Sequence, residues 1–253
     1  MSLETKDLTV GYLSKPILSG INERLKPSEL TVLIGSNGSG KSTLLRTLAG
    51  AQKPLSGEVV IDSEPISAMS NGRLAKKLAV VLTDRTGGGG LKVNELVAIG
   101  RHPYSGFLGR LSAHDREVIE EALKKVGLAH KSQSYVSELS DGERQKAMIA
   151  RAIAQETPIV ILDEPTSFLD VSSRFEIMEL LSDIALRGEK SILLSTHDTS
   201  AALSVAGKVW AVADGTIQSG TIEDMAENGV LSRVFQGVDF DRASLDFRRR
   251  PTP

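Results

Sequence analysis

A glycine-rich loop followed by a lysine and a serine is the first pattern in the sequence that could do chemistry. It fits the spacing G-x-x-x-x-G-K-S/T, comes directly after the apolar run Leu30–Ile34 and precedes a helix-forming segment. Glycines let the backbone wrap closely around an anion, so that N–H groups face phosphate oxygens. Lys41 is then expected to reach the β- and γ-phosphates, and Ser42 to bind Mg²⁺. The predicted phosphate loop comprises Gly35, Ser36, Asn37, Gly38, Ser39, Gly40, Lys41, Ser42 and Thr43.

Two consecutive carboxylates end a buried run further along the chain. Ile159–Leu162 is apolar throughout, which is typical of a strand covered on both faces, and Asp163 and Glu164 follow it. The carboxyl end of such a strand commonly opens on a binding site. Asp163 is expected to hold the Mg²⁺ shell, and Glu164 to accept a proton from an attacking water. With the phosphate loop, this acid pair predicts binding and hydrolysis of a nucleoside triphosphate.

Composition narrows the class of protein. The 253 residues carry a net charge of -2 and no cysteine, which excludes disulfides and thiolate zinc sites. Lysine and arginine are dispersed apart from Arg248–Arg250, and no basic stripe interleaved with aromatic residues indicates a nucleic-acid partner. The polar first residues and the lack of an apolar run of membrane-spanning length predict a cytoplasmic protein that reaches a membrane only through a partner.

Hydrophobic periodicity indicates the elements that must position these residues. Apolar runs predict a mostly parallel sheet, and other strand patterns predict an antiparallel patch beside it. The segment 93–155 is rich in helix signals, with a capping box at Ser112–Asp115 and a helix end at Gly127. The predicted parallel strands are Leu30–Ile34, Leu78–Leu82, Ile159–Leu162 and Ser191–Thr196; the predicted patch contains Leu3–Tyr12, Gly57–Asp62 and a hairpin over Val209–Gly220 that turns at Asp214-Gly215.

The motif Leu139–Glu143 separates the classes of nucleotide hydrolase that share a phosphate loop and an acidic strand. Its sequence, LSDGE, resembles the signature of ATP-binding cassette (ABC) ATPases and precedes the acidic strand, as it does in that family. Ser140 and Glu143 also form the capping-box pattern of a helix start. The resemblance spans nearly the whole chain. It implies that the motif contacts the nucleotide held by a second copy, through Ser140, Asp141, Gly142 and Glu143.

The same resemblance implies roles for single residues. Tyr12 matches the aromatic residue that stacks on adenine, and His197 matches the histidine that contacts the γ-phosphate. Ser167 and Asp170 lie in the loop that crosses the dimer interface in this family. Thr83 stands where the family usually has glutamine, and its hydroxyl is expected near the metal or its water. The implied catalytic residues are Glu164, His197 and Lys41, and the implied metal ligands are Ser42, Asp163 and Thr83.

Three positions depart from the family pattern. Thr83 replaces the usual glutamine, Asp141 the common glycine of the signature, and Glu143 its common glutamine. A carboxylate near the γ-phosphate should repel it, although the start of a helix offsets part of that repulsion. These departures bear on turnover and on coupling to a partner.

The fold implied by the resemblance is α/β. It combines a P-loop NTPase core of the RecA-like type with an antiparallel β subdomain and an inserted α-helical subdomain. We expect a single ABC ATPase domain over residues 1–253. Its core with the antiparallel patch is expected to cover 1–85 and 158–222, the helical subdomain with the signature 91–157, and a C-terminal helix and tail 223–253.

The segments Val93–Tyr104 and Gly109–Ser112 resemble those of ATPase subunits of bacterial importers for iron-siderophore complexes, haem or cobalamin. In that group a homodimer uses ATP and Mg²⁺, and its helical subdomains contact a membrane permease that also works with a substrate-binding protein. The resemblance therefore implies ATP hydrolysis that powers an importer from the inner face of the cell membrane. The sequence leaves open the cargo, the permease and the role of the arginine-rich tail.

Two alternatives remain at this point. One is a soluble ABC ATPase that is not coupled to transport; such proteins typically carry a long coiled-coil insertion or tandem cassettes, and this chain shows neither. The other is a non-catalytic regulator that binds ATP. Lys41, Asp163, Glu164 and His197 argue against the regulator, whereas Thr83 and Asp141 keep it open.

Overall fold

The computed structural model describes residues 1–82, 90–106, 109–188, 190–234, 238–241 and 246–249. Their strands are β1 (Leu3–Tyr12), β2 (Lys15–Ile21), β3 (Arg24–Leu25), β4 (Leu30–Ile34), β5 (Ser56–Ile61), β6 (Glu64–Pro65), β7 (Leu78–Val81), β8 (Ile159–Asp163), β9 (Ser191–Ser195), β10 (Lys208–Ala213), β11 (Thr216–Gly220), β12 (Val238–Asp241) and β13 (Asp246–Arg249). Their helices are α1 (Lys41–Leu48), α2 (Asn71–Leu74), α3 (Val93–Ala98), α4 (Ala113–Lys125), α5 (Asp141–Ala154), α6 (Val171–Arg187), α7 (Thr199–Leu203), α8 (Ile222–Glu227) and α9 (Val230–Val234). No described helix combines the length with the hydropathy that a transmembrane span requires.

The larger sheet has the strand order β11-β10-β4-β9-β8-β7, and every neighbouring pair except β10-β11 is parallel. All positions of β4 and β9 are buried, and so are those of β8 apart from Asp163, as their apolar sequences predict. The carboxyl ends of parallel strands meet at one edge of a sheet. That edge therefore gathers the predicted phosphate loop, the acid pair and His197.

The second sheet is antiparallel, with the order β2-β1-β5-β6 and with β3 also paired to β1. A tight turn joins β1 to β2, and its Leu13 and Ser14 have φ angles of 46° and 65°. Positive φ at both central residues suits the right-handed twist of a two-residue hairpin. The apolar face of α1 packs with residues of both sheets in one core cluster. The end of β1, with Tyr12, consequently lies beside the loop that precedes α1.

Between β7 and β8 the described residues form helices and short turns, apart from one β-bridge between Lys92 and Tyr135. Ser112 caps α4 by accepting the N–H of Asp115, which confirms the predicted capping box. The helix ends just before Gly127, whose φ of 73° suits a residue without Cβ. Buried apolar faces of α3, α4 and α5 join the main sheet in a second core cluster.

The position of the predicted hairpin over Val209–Gly220 differs from the sequence prediction. Its turn at Asp214-Gly215 is confirmed, but β10 pairs in parallel with β4 and belongs to the larger sheet instead of the antiparallel patch. The reason is burial: Val209–Ala213 is buried at every position. A strand covered on both faces belongs inside a layered parallel sheet, so of the two strands of this hairpin only β11 lies at an edge.

The end of the chain also differs from the predicted helix and tail. Two short helices, α8 and α9, precede the antiparallel hairpin of β12 and β13. The ring centroids of Phe240 and Phe247 lie 5.2 Å apart, and both side chains pack against the core. This aromatic pair anchors a segment whose arginine-rich sequence suggests a solvated end. Arg248 and Arg249 lie in β13, and Arg250 lies outside the described residues.

Candidate functional site

The loop between β4 and α1 is shaped by glycines whose backbone lies close to neighbouring side chains. Gly40 has a φ of 102°, and a Cβ there would lie 2.6 Å from Cγ2 of Ile17. A Cβ on Gly35 would lie 2.7 Å from the hydroxyl of Ser39. Gly40 begins α1 without any side-chain cap, which leaves the helix start open to an anion. The hydroxyl of Ser39 is buried and has no partner among the described residues, as expected where a phosphate oxygen binds.

Lys41 is the buried cation of this loop. Only 6% of the residue is exposed, and its ammonium donates to the carbonyl oxygens of Gly35 at 2.7 Å and Ser36 at 3.1 Å. Burial lowers the pKa of Lys41, while the charges of Glu164 and Asp163 act in the opposite direction. The loop thus holds the ammonium group close to the acid pair, where phosphate oxygens can replace the two carbonyls as its partners.

Asp163 lies between two hydroxyl groups. Its Oδ1 accepts hydrogen bonds from Ser195 at 2.6 Å and from Ser42 at 3.3 Å. The Ser195 hydroxyl also accepts the backbone N–H of Glu164 at 3.0 Å, so one serine orients both carboxylate residues. Sequence reasoning missed Ser195. Its signal was its place at the end of β9, directly opposite Asp163 in the parallel register.

Glu164 adopts a left-handed backbone conformation with a φ of 49°, which is uncommon for a residue with a side chain. Its Oε2 accepts a hydrogen bond from Ser167 at 2.9 Å, and its Oε1 contacts Nε2 of His197. The carboxylate is therefore fixed from both sides at the carboxyl edge of the sheet. Strained backbone of this kind concentrates at functional sites, where the surrounding structure enforces it.

A cavity of about 420 Å³ is lined by half of the predicted site residues. Tyr12 lies on its rim with 48% of the residue exposed, and its hydroxyl is 3.2 Å from that of Thr43. The aromatic ring thus lies beside the phosphate loop. The cavity is lined by Tyr12, Ile17, Asn37, Gly38, Ser39, Gly40, Lys41, Ser42, Thr43, Glu164 and His197.

The signature residues lie elsewhere. Ser140 accepts the N–H of Glu143 at 3.2 Å and donates its own N–H to that carboxylate at 3.0 Å, which confirms the capping box. A Cβ on Gly142 would lie 3.1 Å from the hydroxyl of Ser173, so the start of α5 adjoins the start of α6. Asp170 caps α6 by accepting the N–H of Ser173 at 2.9 Å. None of Ser140, Asp141, Gly142 and Glu143 is among the described residues that line the cavity.

Thr83, the third predicted metal ligand, lies outside the described residues together with the segment that follows it. The other two, Ser42 and Asp163, have their side-chain oxygens 3.3 Å apart. Oxygen donors of this kind suit Mg²⁺, which is usually held by one or two carboxylates together with substrate phosphates and water. The described part of the site therefore fits the ion.

The family is decided by a sequence profile. The profile described as "ABC transporter" matches residues 18–167, more than half of the chain, including the phosphate loop, the signature and the acid pair. The chain belongs to the ABC transporter family. A second profile, described as an AAA domain, matches only residues 133–204 of this ABC ATPase and omits its phosphate loop.

Two relatives are similar to the ABC ATPase over most of its length. An uncharacterised ABC transporter ATP-binding protein of Methanocaldococcus jannaschii is 43% identical over 82% of this chain and 71% of its own. The petrobactin import ATP-binding protein FpuD of Bacillus anthracis is 36% identical over 93% of this chain and 86% of its own.

Solved structures agree with this assignment. The structure of a metal-chelate type ABC transporter in an inward-facing conformation aligns with a TM-score of 0.82 and 25% identity, over 100% of this chain and 98% of that chain. A dimeric bacterial ABC transporter cassette aligns with a TM-score of 0.74 and 27% identity, over 87% and 98%. The predicted α/β P-loop NTPase fold is thereby confirmed, and the chain is an ATPase of this family.

Proposed function

We propose that this ABC ATPase hydrolyses Mg²⁺-bound ATP at sites shared by two copies of the chain and thereby powers a membrane importer of an iron chelate. The observation that carries the catalytic part is the convergence of Lys41, Glu164 and His197 on one cavity at the carboxyl edge of the sheet, with Asp163 hydrogen-bonded to Ser42 of the cavity lining. Phosphoryl transfer to water requires a cation, a carboxylate that binds the metal and a second carboxylate that acts as the general base.

In this proposal each side chain acts at a definite atom. The ammonium of Lys41 leaves the two loop carbonyls and binds the β- and γ-phosphate oxygens. Ser42 and Asp163 would hold Mg²⁺, which would supply positive charge to offset the charge of those oxygens, and Thr83 is proposed to contact the metal or its water. Glu164 accepts the proton of the attacking water, and His197 holds the γ-phosphate in line. Tyr12 stacks on the adenine ring.

The second copy is proposed because one chain leaves its signature residues away from its own cavity. Supporting this, Phe168 and Val171 are 65% and 67% exposed next to Ser167 and Asp170, so the loop presents an apolar surface that a second copy would cover. The related cassette that was solved as a dimer has the same fold. In a head-to-tail pair, the signature of each copy would approach the ATP held by the other.

The base assignment is tested with Glu164→Gln. Glutamine cannot take a proton from water but preserves the shape of the site, so we expect a loss of hydrolysis of at least a hundredfold with ATP binding intact. An ATP-bound dimer should accumulate. Turnover is measured by phosphate release, and binding by fluorescence of a nucleotide analogue. Turnover equal to that of the wild type would contradict the role of Glu164.

The import function rests on relatives and on the helical region. FpuD is named for petrobactin import, and the transporter that aligns over the full chain is of the metal-chelate type. We propose that residues 91–157 act as a helical subdomain that contacts a permease, with 1–85 and 158–222 as the core and 223–253 as a C-terminal appendage. The protein would then work on the inner face of the cell membrane, and the permease would take cargo from a substrate-binding protein.

Uptake measurements test the cargo class. A strain without this gene should lose uptake of an iron chelate while growing normally on excess inorganic iron. The wild-type gene should restore uptake, and Lys41→Ala should not, because it cannot hold the phosphates. Haem and cobalamin serve as the alternative cargoes. Undiminished uptake of all three would refute the importer assignment and leave the ATPase standing.

A further inference from the structure

Each acidic side chain of the signature has a cation beside it. Asp141 pairs with Arg144 at 3.1 Å, within the first turn of α5. Glu143 pairs with Lys131 at 2.5 Å, and Lys131 comes from the short turn Ala129–Lys131 that follows α4. The second pair therefore joins two elements, whereas the first is local to one helix.

The pair of Lys131 and Glu143 is the better shielded of the two. The side chains of Lys131 and Glu143 are 32% and 27% exposed, against 66% for Asp141. Both oxygens of Glu143 are occupied, one by Lys131 and the other by the N–H of Ser140. The hydrogen bond from Lys131 and that from Ser140 lower the pKa of Glu143, so it stays ionised at neutral pH.

An ionised Glu143 at this position would oppose the approach of a triphosphate. The start of α5 offers its N–H groups to an anion, but a carboxylate on the same turn repels it. An exposed ion pair such as that of Asp141 and Arg144 is weak and screened by salt. The partly shielded ammonium of Lys131 is better placed to cancel the charge of Glu143 as solvent leaves the space between two copies.

We propose that Lys131 is a positioning residue for the nucleotide of a second copy: it neutralises Glu143 and fixes its carboxylate against Ser140, so that an acidic signature can approach the γ-phosphate. This inference rests on the proposed site between two copies. It gives a specific function to a lysine that is distant in sequence from the residues that line the cavity. It also explains how the Glu143 departure from the family pattern is compatible with ATP.

The test is a set of variants in the Glu164→Gln background, in which an ATP-bound dimer is expected. Lys131→Gln removes the cation, Lys131→Arg keeps it, and Lys131→Gln combined with Glu143→Gln restores charge balance. The dissociation constant of the ATP-dependent dimer is measured by analytical ultracentrifugation at low and high salt. We expect Lys131→Gln to weaken the dimer about tenfold at low salt, Lys131→Arg to change it little, and the double variant to recover most of the loss.

A matched control is Lys77→Gln. Lys77 pairs with Asp62 at 3.3 Å, and the side chains are 22% and 39% exposed, which is similar to the exposure of the Lys131–Glu143 pair. Lys77 precedes the amino end of β7, away from the site. Its loss should leave the dimer unchanged. Nucleotide binding to the single copy and far-UV circular dichroism verify that each variant is folded.

The possible outcomes distinguish a failure of this inference from a failure of the proposed site shared by two copies. If Lys131→Gln dimerises like its parent, or if the double variant does not recover, the inference is wrong while the shared site stands. If the Glu164→Gln protein with Lys131 intact forms no ATP-dependent dimer, the shared site is wrong, and the inference falls with it. Should Lys131→Gln fail to fold, Glu143→Gln alone must still give a dimer at least as tight as its parent.

Discussion

At the scale of single residues, one hydroxyl links the carboxylate of Asp163 to the backbone of Glu164. Ser195 donates to Asp163 at 2.6 Å and accepts the N–H of Glu164 at 3.0 Å. It is fully buried, so water cannot replace it in either role. Outer groups that orient a metal ligand commonly change metal affinity or activity by 10- to 100-fold when they are removed.

Ser195→Ala should therefore lower ATP hydrolysis by about tenfold or more and raise the Mg²⁺ concentration needed for half-maximal rate. The measurement is phosphate release across a Mg²⁺ titration. Ser191→Ala is the matched control, since Ser191 is a buried serine of the same strand whose hydroxyl has no partner among the described residues. An equal effect of the two variants would mean that Ser195 acts only through packing.

The sequence predicts some of these residues and misses others for a physical reason. Lys41, Ser42, Asp163 and Glu164 can be predicted because each pair lies in a short segment whose spacing is typical of its proposed function. The contacts of Ser195 with the acid pair depend on the register between β8 and β9, which pack side by side although they lie far apart in the chain. No local pattern encodes that register.

At the scale of elements, a buried arginine connects two helices of the helical region. Arg101 is 2% exposed and donates to Asp115 of α4 at 2.7 Å, to Glu156 at 2.6 Å and to the carbonyl of Ala154 at 2.7 Å. The ring of Tyr104 lies 4.2 Å from the guanidinium. The cluster ties α4 to the end of α5, the helix whose first turn is the signature.

This cluster gives a pH-dependent stability that Asp115→Asn should remove. Hydrogen bonds from Ser112 and then from Arg101 lower the pKa of Asp115 to about 2. A lowered carboxyl pKa stabilises the fold fully above the unfolded value of about 4, and the contribution disappears as the pH falls through about 2. Asp115→Asn should cost about 2 kcal/mol or more at pH 7, with a gap to wild type that narrows below pH 4.

Chemical denaturation between pH 7 and pH 3 checks this expectation. Glu120→Gln is the control, because Glu120 lies on the exposed face of the same helix in a surface pair with Lys124. It should leave the stability and its pH dependence unchanged. A gap between Asp115→Asn and wild type that stays constant with pH would show that lost packing, and not the charge of Asp115, accounts for the effect.

Sequence patterns predict where the individual elements lie better than they predict which elements pair with each other. The 3.6-residue and two-residue periods, capping boxes and turn residues locate α4, α5 and the hairpin at Asp214-Gly215, because these signals are local. They do not reveal that β10 lies beside β4, since that pairing is decided by burial on both faces of the sheet. Nor do they reveal the hairpin of β12 and β13, which depends on two phenylalanines that meet only in the folded chain.

At the scale of the whole molecule, the far end of the signature helix is hydrogen-bonded to the core, and its first turn is not among the described residues that line the cavity. At its far end, Gln155 donates to the carbonyls of Ala75 at 2.6 Å and Leu78 at 3.1 Å, and Arg151 donates to that of Val80 at 3.2 Å. These contacts fasten the end of α5 to β7. The described lining of the cavity includes the phosphate loop but not the signature, and the proposed head-to-tail pair would bring these two motifs together.

Mixing two inactive variants tests this central claim most directly. Lys41→Ala disables the phosphate loop of its own chain, and Ser140→Arg disables the signature that it offers to a partner. In a mixed dimer, one of the two sites combines an intact phosphate loop from the Ser140→Arg chain with an intact signature from the Lys41→Ala chain. We predict that each variant alone hydrolyses ATP at a small fraction of the wild-type rate and that an equimolar mixture recovers a substantial part of it, rising with protein concentration. A mixture no more active than the sum of its parts, with both variants folded, would contradict a site shared between two copies.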